Sequence, residues 1–187
     1  MNGAATVLPP DVTWEQFLEL LDQDEYKNAE LIDGQVVVGT PSWLHQRIVM
    51  TLCALIWNWI HAGENRGEVT FNPRVKITHN RGHLPDVAWY RGERVSAKGV
   101  QPDGPPDLAV EVLSPSTRTF DIVRKRADYA RIWVNELWLT DPDGPEAVVL
   151  RRDGAEFVVV DDLAADGALT GPQLPGLSIV VGQLVSL

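Results

Sequence analysis

Two carboxylates stand where carboxylates are costly. Glu111 lies in Leu108-Ala109-Val110-Glu111-Val112-Leu113, a run that is otherwise apolar apart from Asp107 at its start. Side chains alternate along a strand, so Asp107, Ala109 and Glu111 share one face. A buried carboxylate needs a partner: a metal ion is one remedy, an ordinary salt bridge or hydrogen bond the other. Asp86, in Pro85-Asp86-Val87-Ala88-Trp89, opens a second apolar run 25 residues earlier. That spacing lets two strands and a loop bring the acids together. Two carboxylates on neighbouring strands, with Mg²⁺ (or Mn²⁺) and a phosphodiester, would make a hydrolytic site, because the ion acidifies water and neutralises charge on phosphorus. Pro-Asp is also an ordinary loop-to-strand junction, so Asp86 by itself says little.

Lys125 is the third candidate. Asp121, Lys125 and Tyr129 recur at i, i+4 and i+8, along one helix face. A surface pair between Asp121 and Lys125 explains that spacing. So does a lysine that orients a nucleophile and stabilises a transition state. The chain has four lysines, so one at this position is not mere composition. Glu30 and His45 are weaker supporting candidates, a strand-edge acid and a first-turn helix histidine. Asp107 is a weaker metal ligand. Arg118, Arg124 and Arg126 could hold flanking phosphates. No local His/Asp/Glu cluster is compact enough for zinc, no glycine loop cradles phosphate, and Ser114, Ser116 and Thr117 have no neighbouring histidine base.

The elements that must position these residues read as follows. Thr13-Trp14-Glu15-Gln16 resembles a capping box before a short helix. Glu30–Val38 reads as a hairpin turning at Asp33-Gly34. Ser42 can cap a long helix to about His61, with Gly63 as its C-terminal cap. Strands follow at Glu68–Ile77 and Leu84–Tyr90, a loop at Arg91–Pro106, a central strand at Asp107–Leu113 and a helix from about Thr119 to Arg131. Further strands are expected at Glu136–Thr140, Ala147–Leu150 and Glu156–Val160, then loop with short extended pieces to Leu187. The order implies an α/β sheet with helices on its faces.

At 187 residues and 44% apolar composition, a single domain with a sizeable core is expected, with residues 1–11 flexible. The single cysteine, Cys53, excludes an intramolecular disulfide. No run is long and apolar enough for a membrane span and no signal peptide is visible, so a cytoplasmic protein is expected. Net charge is −10, which opposes tight, non-specific duplex binding. The charge is uneven. Pro115–Arg131 holds five basic residues against two acidic, whereas Asp141–Asp166 holds eight acidic against two basic. One basic edge and an acidic back are expected.

The segments LPDVAWY, PPDLAVEVLSPSTRTFDIVRKRADYA and NELWLTDP resemble the Uma-two family of putative restriction endonucleases, within the PD-(D/E)XK superfamily. AELIDGQVV, His45 after a Pro-Ser loop, and LPGLSI extend the resemblance over about Thr13 to Leu187. It implies a mixed central sheet flanked by helices, Mg²⁺ dependence, a nucleic-acid substrate (most simply DNA) and a homodimer. Asp86 then matches the first acid and Glu111 the acid of the second half-motif. The superfamily's lysine stands two residues after that acid, where this chain has Leu113. The resemblance implies that Lys125, on the next helix, takes its place. Two other readings stay open: a non-catalytic interaction or dimerisation module on a nuclease fold, and a phosphodiesterase acting on small or structured nucleic acids. Trp43, Trp57, Trp59 and Trp133 are tryptophans that a dimer could use or a core could bury.

Overall fold

A computed structural model of the chain describes residues 11–96, 100–114 and 121–186. The expectation for residues 1–11 therefore falls almost wholly outside the described residues. The chain forms two compact units, one of residues 1–40 and 74–84, the other of residues 41–73 and 85–187.

The smaller unit opens with helix α1 (Trp14–Leu20). Its capping box is complete: the Thr13 hydroxyl accepts from the Gln16 N–H, and the Gln16 side chain accepts from the Thr13 N–H. Strands β1 (Ala29–Ile32) and β2 (Gln35–Val38) form the expected hairpin. Asp33 and Gly34 turn it with φ of 50° and 79°, the left-handed pair that a two-residue hairpin loop needs. Strands β4 (Val75–Thr78) and β5 (Arg81–His83) complete a sheet ordered β2-β1-β5-β4. Its core contains Trp14, Phe17, Leu21, Tyr26 and Leu31.

The larger unit carries helix α2 (Trp43–His61), begun by Ser42, whose hydroxyl accepts from the His45 N–H at 3.2 Å. The helix ends at Ala62, and Gly63 does not adopt the left-handed conformation expected of a glycine cap. A six-stranded sheet follows the order β10-β9-β8-β7-β6-β3. Its strands are β3 (Glu68–Phe71), β6 (Val87–Tyr90), β7 (Leu108–Val112), β8 (Glu136–Asp141), β9 (Glu146–Asp153) and β10 (Glu156–Leu163). The expected single strand Glu68–Ile77 is thus two, β3 and β4, on either side of Pro73, which has no N–H to offer a ladder. The sheet is mixed: β7 and β8 run parallel, and the other neighbours antiparallel. A parallel pair needs a crossover. The crossover between β7 and β8 includes a π-helical turn over Asp121–Lys125 and then α3 (Arg126–Arg131). Strands β11 (Ala168–Leu169) and β12 (Ile179–Val180) pair near the end of the chain.

The core of this unit lies between α2 and one face of the sheet. Ile48, Leu52, Ile56 and Trp59 pack with Val87, Trp89, Leu108, Val110, Val112 and Trp138. Alternation then directs the intervening residues, Ala88 of β6 and Ala109 and Glu111 of β7, to the opposite face.

Candidate active site

Glu111 occupies the fourth position of β7, flanked on both sides by sheet strands, and is buried. Both carboxylate oxygens are engaged from the crossover. Lys125 Nζ donates to Oε2 at 2.8 Å and Tyr129 Oη donates to Oε1 at 2.6 Å. All three side chains are buried. The ammonium lies close enough for a charge-assisted hydrogen bond as well as an ion pair. Lys125 ends the π-turn and Tyr129 lies one helical turn later in α3, so the two side chains reach the same carboxylate. Asp121 begins the π-turn, but its side chain lies outside the described residues.

Asp86 precedes β6. Extending the Val87–Val110 register by one step puts Asp86 opposite Glu111, where the Cβ atoms of opposed residues lie about 4.5–5.5 Å apart. Its Oδ2 accepts the Val112 N–H at 2.7 Å and lies 3.2 Å from His45 Nε2. The local sequence explains the first bond. The carbonyl of Pro85 is taken by the Asn72 N–H, and β6 begins only at Val87. The Asp86 side chain therefore supplies the acceptor that the last N–H of β7 needs. Helix α2 supplies the second contact from its first turn, which fixes the rotamer of Asp86. Among the described residues no hydrogen bond reaches Oδ1 of Asp86, and the side chain keeps 16% of its exposure.

The other candidates are placed differently. Asp107 shares the face of Glu111 but sits four residues earlier, roughly 13 Å along the strand direction. Its carboxylate accepts from the Arg91 N–H and Nε, from Arg94 Nη1 and from Asn135 Nδ2. Two guanidinium groups satisfy it, and its place is in a structural ion-pair cluster. Glu30 belongs to the smaller unit, where it accepts the Leu84 N–H and lies 3.6 Å from His83 Nδ1. Arg126 donates to the Phe157 carbonyl of β10, so one end of its guanidinium is held in the fold. Arg124 is exposed, and Arg118 lies outside the described residues. The Val112 N–H is the part of the site that residue types could not disclose.

Among the described residues, no three His, Cys, Asp or Glu side chains gather as a metal cage. The donor set nevertheless suits one kind of ion. Mg²⁺ takes hard oxygen ligands and is commonly bound by one or two carboxylates, with water and substrate phosphate completing the octahedron. Asp86 and Glu111 are such a pair. Zinc, which takes three or four protein ligands of the His/Cys type, does not fit.

With this geometry described, the comparisons with known proteins bear on it. The family model for Uma2, described as putative restriction endonuclease, matches residues 14–182. Among solved structures, the chain resembles the crystal structure of a putative nuclease belonging to DUF820 from Anabaena variabilis. The TM-score is 0.71 at 20% identity, over 90% of this chain and 96% of that one. No curated protein matches in sequence. The fold is the mixed α/β arrangement of restriction-endonuclease-like proteins, a central mixed sheet flanked by helices. With the match running through both acids, the buried lysine and nearly the whole chain, this protein belongs to the Uma2 family of putative restriction endonucleases.

Proposed function

We propose that the protein is a divalent-metal-dependent nuclease that hydrolyses phosphodiester bonds, most simply in DNA, with Asp86, Glu111 and Lys125 as its reacting-centre residues. The observation that carries this reading is the buried Lys125–Glu111 pair at 2.8 Å beside a carboxylate, Asp86, held by Val112 and His45 with one oxygen to spare. Asp86 and Glu111 would hold Mg²⁺ or Mn²⁺. When bound, the ion supplies charge neutralisation at phosphorus and a lowered pKa for water. The remaining work falls to the chain's own groups. Glu111 orients Lys125, whose ammonium would align an attacking water and stabilise the developing negative charge. Tyr129 holds the other oxygen of Glu111 and so fixes the carboxylate plane. Arg124, exposed and next to Lys125 in the chain, would meet a flanking phosphate. The lack of a disulfide-forming cysteine pair fits a cytoplasmic site of action, and no helix among the described residues is long and apolar enough to cross a membrane.

The test is incubation with plasmid, single-stranded DNA and RNA in Mg²⁺, Mn²⁺ and EDTA, beside Glu111→Ala. Metal-dependent cleavage that falls by at least about 100-fold in the variant is expected, as for loss of an electrostatic catalytic group. A specific observation favours a second reading. Both oxygens of Glu111 are already satisfied by Lys125 and Tyr129, as in a purely structural network. Absence of cleavage, with no rise in melting temperature on adding Mg²⁺ or Mn²⁺, would select that reading: a nuclease-fold interaction module.

A further inference from the structure

Helix α3 stops at a residue poorly suited to stopping it. The Trp133 N–H donates to the Ala130 carbonyl and the Val134 N–H to the Tyr129 carbonyl, the paired bonds of a Schellman ending. Trp133 takes the left-handed position of that ending, with φ of 71°. Glycine is usual there, because a Cβ crowds the following carbonyl oxygen. Nothing in the helix stop calls for an indole. The ring is nevertheless displayed. Trp133 is 64% exposed, and the Arg152 guanidinium lies over one face of its ring, 4.6 Å from the centroid. Arg152 does not depend on the ring for its place: Nη2 donates to Asn135 Oδ1 at 3.1 Å and Nη1 to the Gly154 carbonyl at 3.2 Å. The guanidinium therefore backs the indole from a fixed point, and the exposure comes from the ring's other face and edge. A strained residue kept in so open a position points to use rather than to folding.

We infer that Trp133, backed by Arg152, is a stacking platform for an unpaired base of a nucleic-acid strand held at the Asp86–Glu111 centre. The choice of partner rests on the nuclease reading above. Three observations favour it. Every base has a π-face, and an aromatic ring beside an arginine holds bases without reading their sequence. The local charge also suits a strand. Arg152 pairs with Phe157 across β9 and β10, and Arg126 donates to the Phe157 carbonyl. Alternation turns the neighbouring acids of that hairpin, Asp153 and Glu156, to the opposite face of the sheet. The distance fits as well. Asn135, two residues after Trp133, donates to Asp107, which lies roughly 13 Å along β7 from Glu111. A stacked strand advances about 3.4 Å per nucleotide, so one held at Glu111 reaches Trp133 within about four nucleotides. A duplex keeps its base faces stacked on one another, so the platform selects single strands and frayed ends.

Fluorescence anisotropy of short labelled oligonucleotides in EDTA reads binding apart from metal-dependent cleavage. Wild type should hold oligothymidylate at least ~10-fold more tightly than an abasic strand of the same length and charge, and than the matching duplex. Trp133→Gly should abolish that preference and leave only the phosphate contacts. It should melt no lower than wild type, since glycine suits a φ of 71°. Trp133→Phe should keep most of the preference. No binding, equal affinity for base-bearing and abasic strands, tighter binding of the duplex, or a preference that survives Trp133→Gly overturns the inference. So does a Trp133→Gly protein that melts well below wild type, because the indole would then belong to the fold. Cleavage in Mg²⁺ tests the nuclease reading separately. Cutting without a stacking preference removes only the platform, and a stacking preference without cutting removes only the nuclease.

Discussion

At the scale of residues, the Glu111 carboxylate is held by two buried donors, Lys125 and Tyr129. Burying a charged pair is costly, and removing one partner leaves the other stranded. Lys125→Met should therefore lower stability by about 3–5 kcal/mol at neutral pH, and Tyr129→Phe by about 1.5–3 kcal/mol for a lost hydrogen bond to a charged group. Urea denaturation measures both. The double variant Glu111→Gln with Lys125→Met should recover much of the single-variant loss, because no buried charge then remains unpaired. If the losses simply add, the pair is not the coupled unit described above. Cys53 offers a second reading at this scale. Burial pushes its thiol up to about 11, so little thiolate is present at neutral pH. Thiol reagents should label native protein slowly and denatured protein fast, and a fast native reaction would show that α2 opens.

At the scale of elements, strand β8 holds a group with a defined pH response. Glu136 is buried at the start of β8, accepting from Trp138 Nε1 at 2.7 Å and Arg151 Nε at 3.3 Å. Burial raises its pKa above the ordinary carboxylate value, and the Trp138 and Arg151 bonds offset this only in part. The folded state then holds its proton to higher pH than the unfolded chain does. Stability contributed by this residue is present in acid and falls as pH rises through the unfolded value and then the raised folded value. The stability of wild type relative to Glu136→Gln should therefore decline between weakly acid and neutral pH. Urea midpoints for both proteins across that range would show it, and a constant difference would refute the burial argument. The π-turn before α3 is the other element with a consequence. Wider turns of this kind occur mostly as single insertions, often at functional sites, and here one ends on Lys125.

At the scale of the whole molecule, charge governs what the protein can bind. A chain of net charge −10 repels a polyanion except where cations gather. The arginines of the crossover are few, and Arg126 is partly held by Phe157. Each phosphate contact contributes about 0.9 to the slope of log K against log salt. Binding of labelled DNA to Glu111→Gln, followed by anisotropy, should therefore be weak, with a slope no steeper than about −3. A steeper slope would reveal a basic surface beyond this crossover.

The linear sequence by itself determined the elements whose signals are local. Thr13 and Gln16 close a capping box, Asp33-Gly34 turns a hairpin, and alternation along Leu108–Val112 places Glu111 away from the α2 core. The i, i+4 spacing of Lys125 and Tyr129 was likewise legible, since one helical turn separates them wherever the helix goes. What those side chains would touch was not legible, because a salt bridge on the surface and one beneath a sheet have the same spacing. Only the tertiary structure decided that Lys125 turns inward to Glu111, that Asp107 belongs to Arg91 and Arg94, and that Trp59 is buried while Trp43, Trp57 and Trp133 are exposed. It also revealed strand β5 and the Val112 N–H that holds Asp86. These are long-range choices: strand pairing and crossover packing bring together groups far apart in the chain, and no local propensity encodes which of several equivalent partners burial will select.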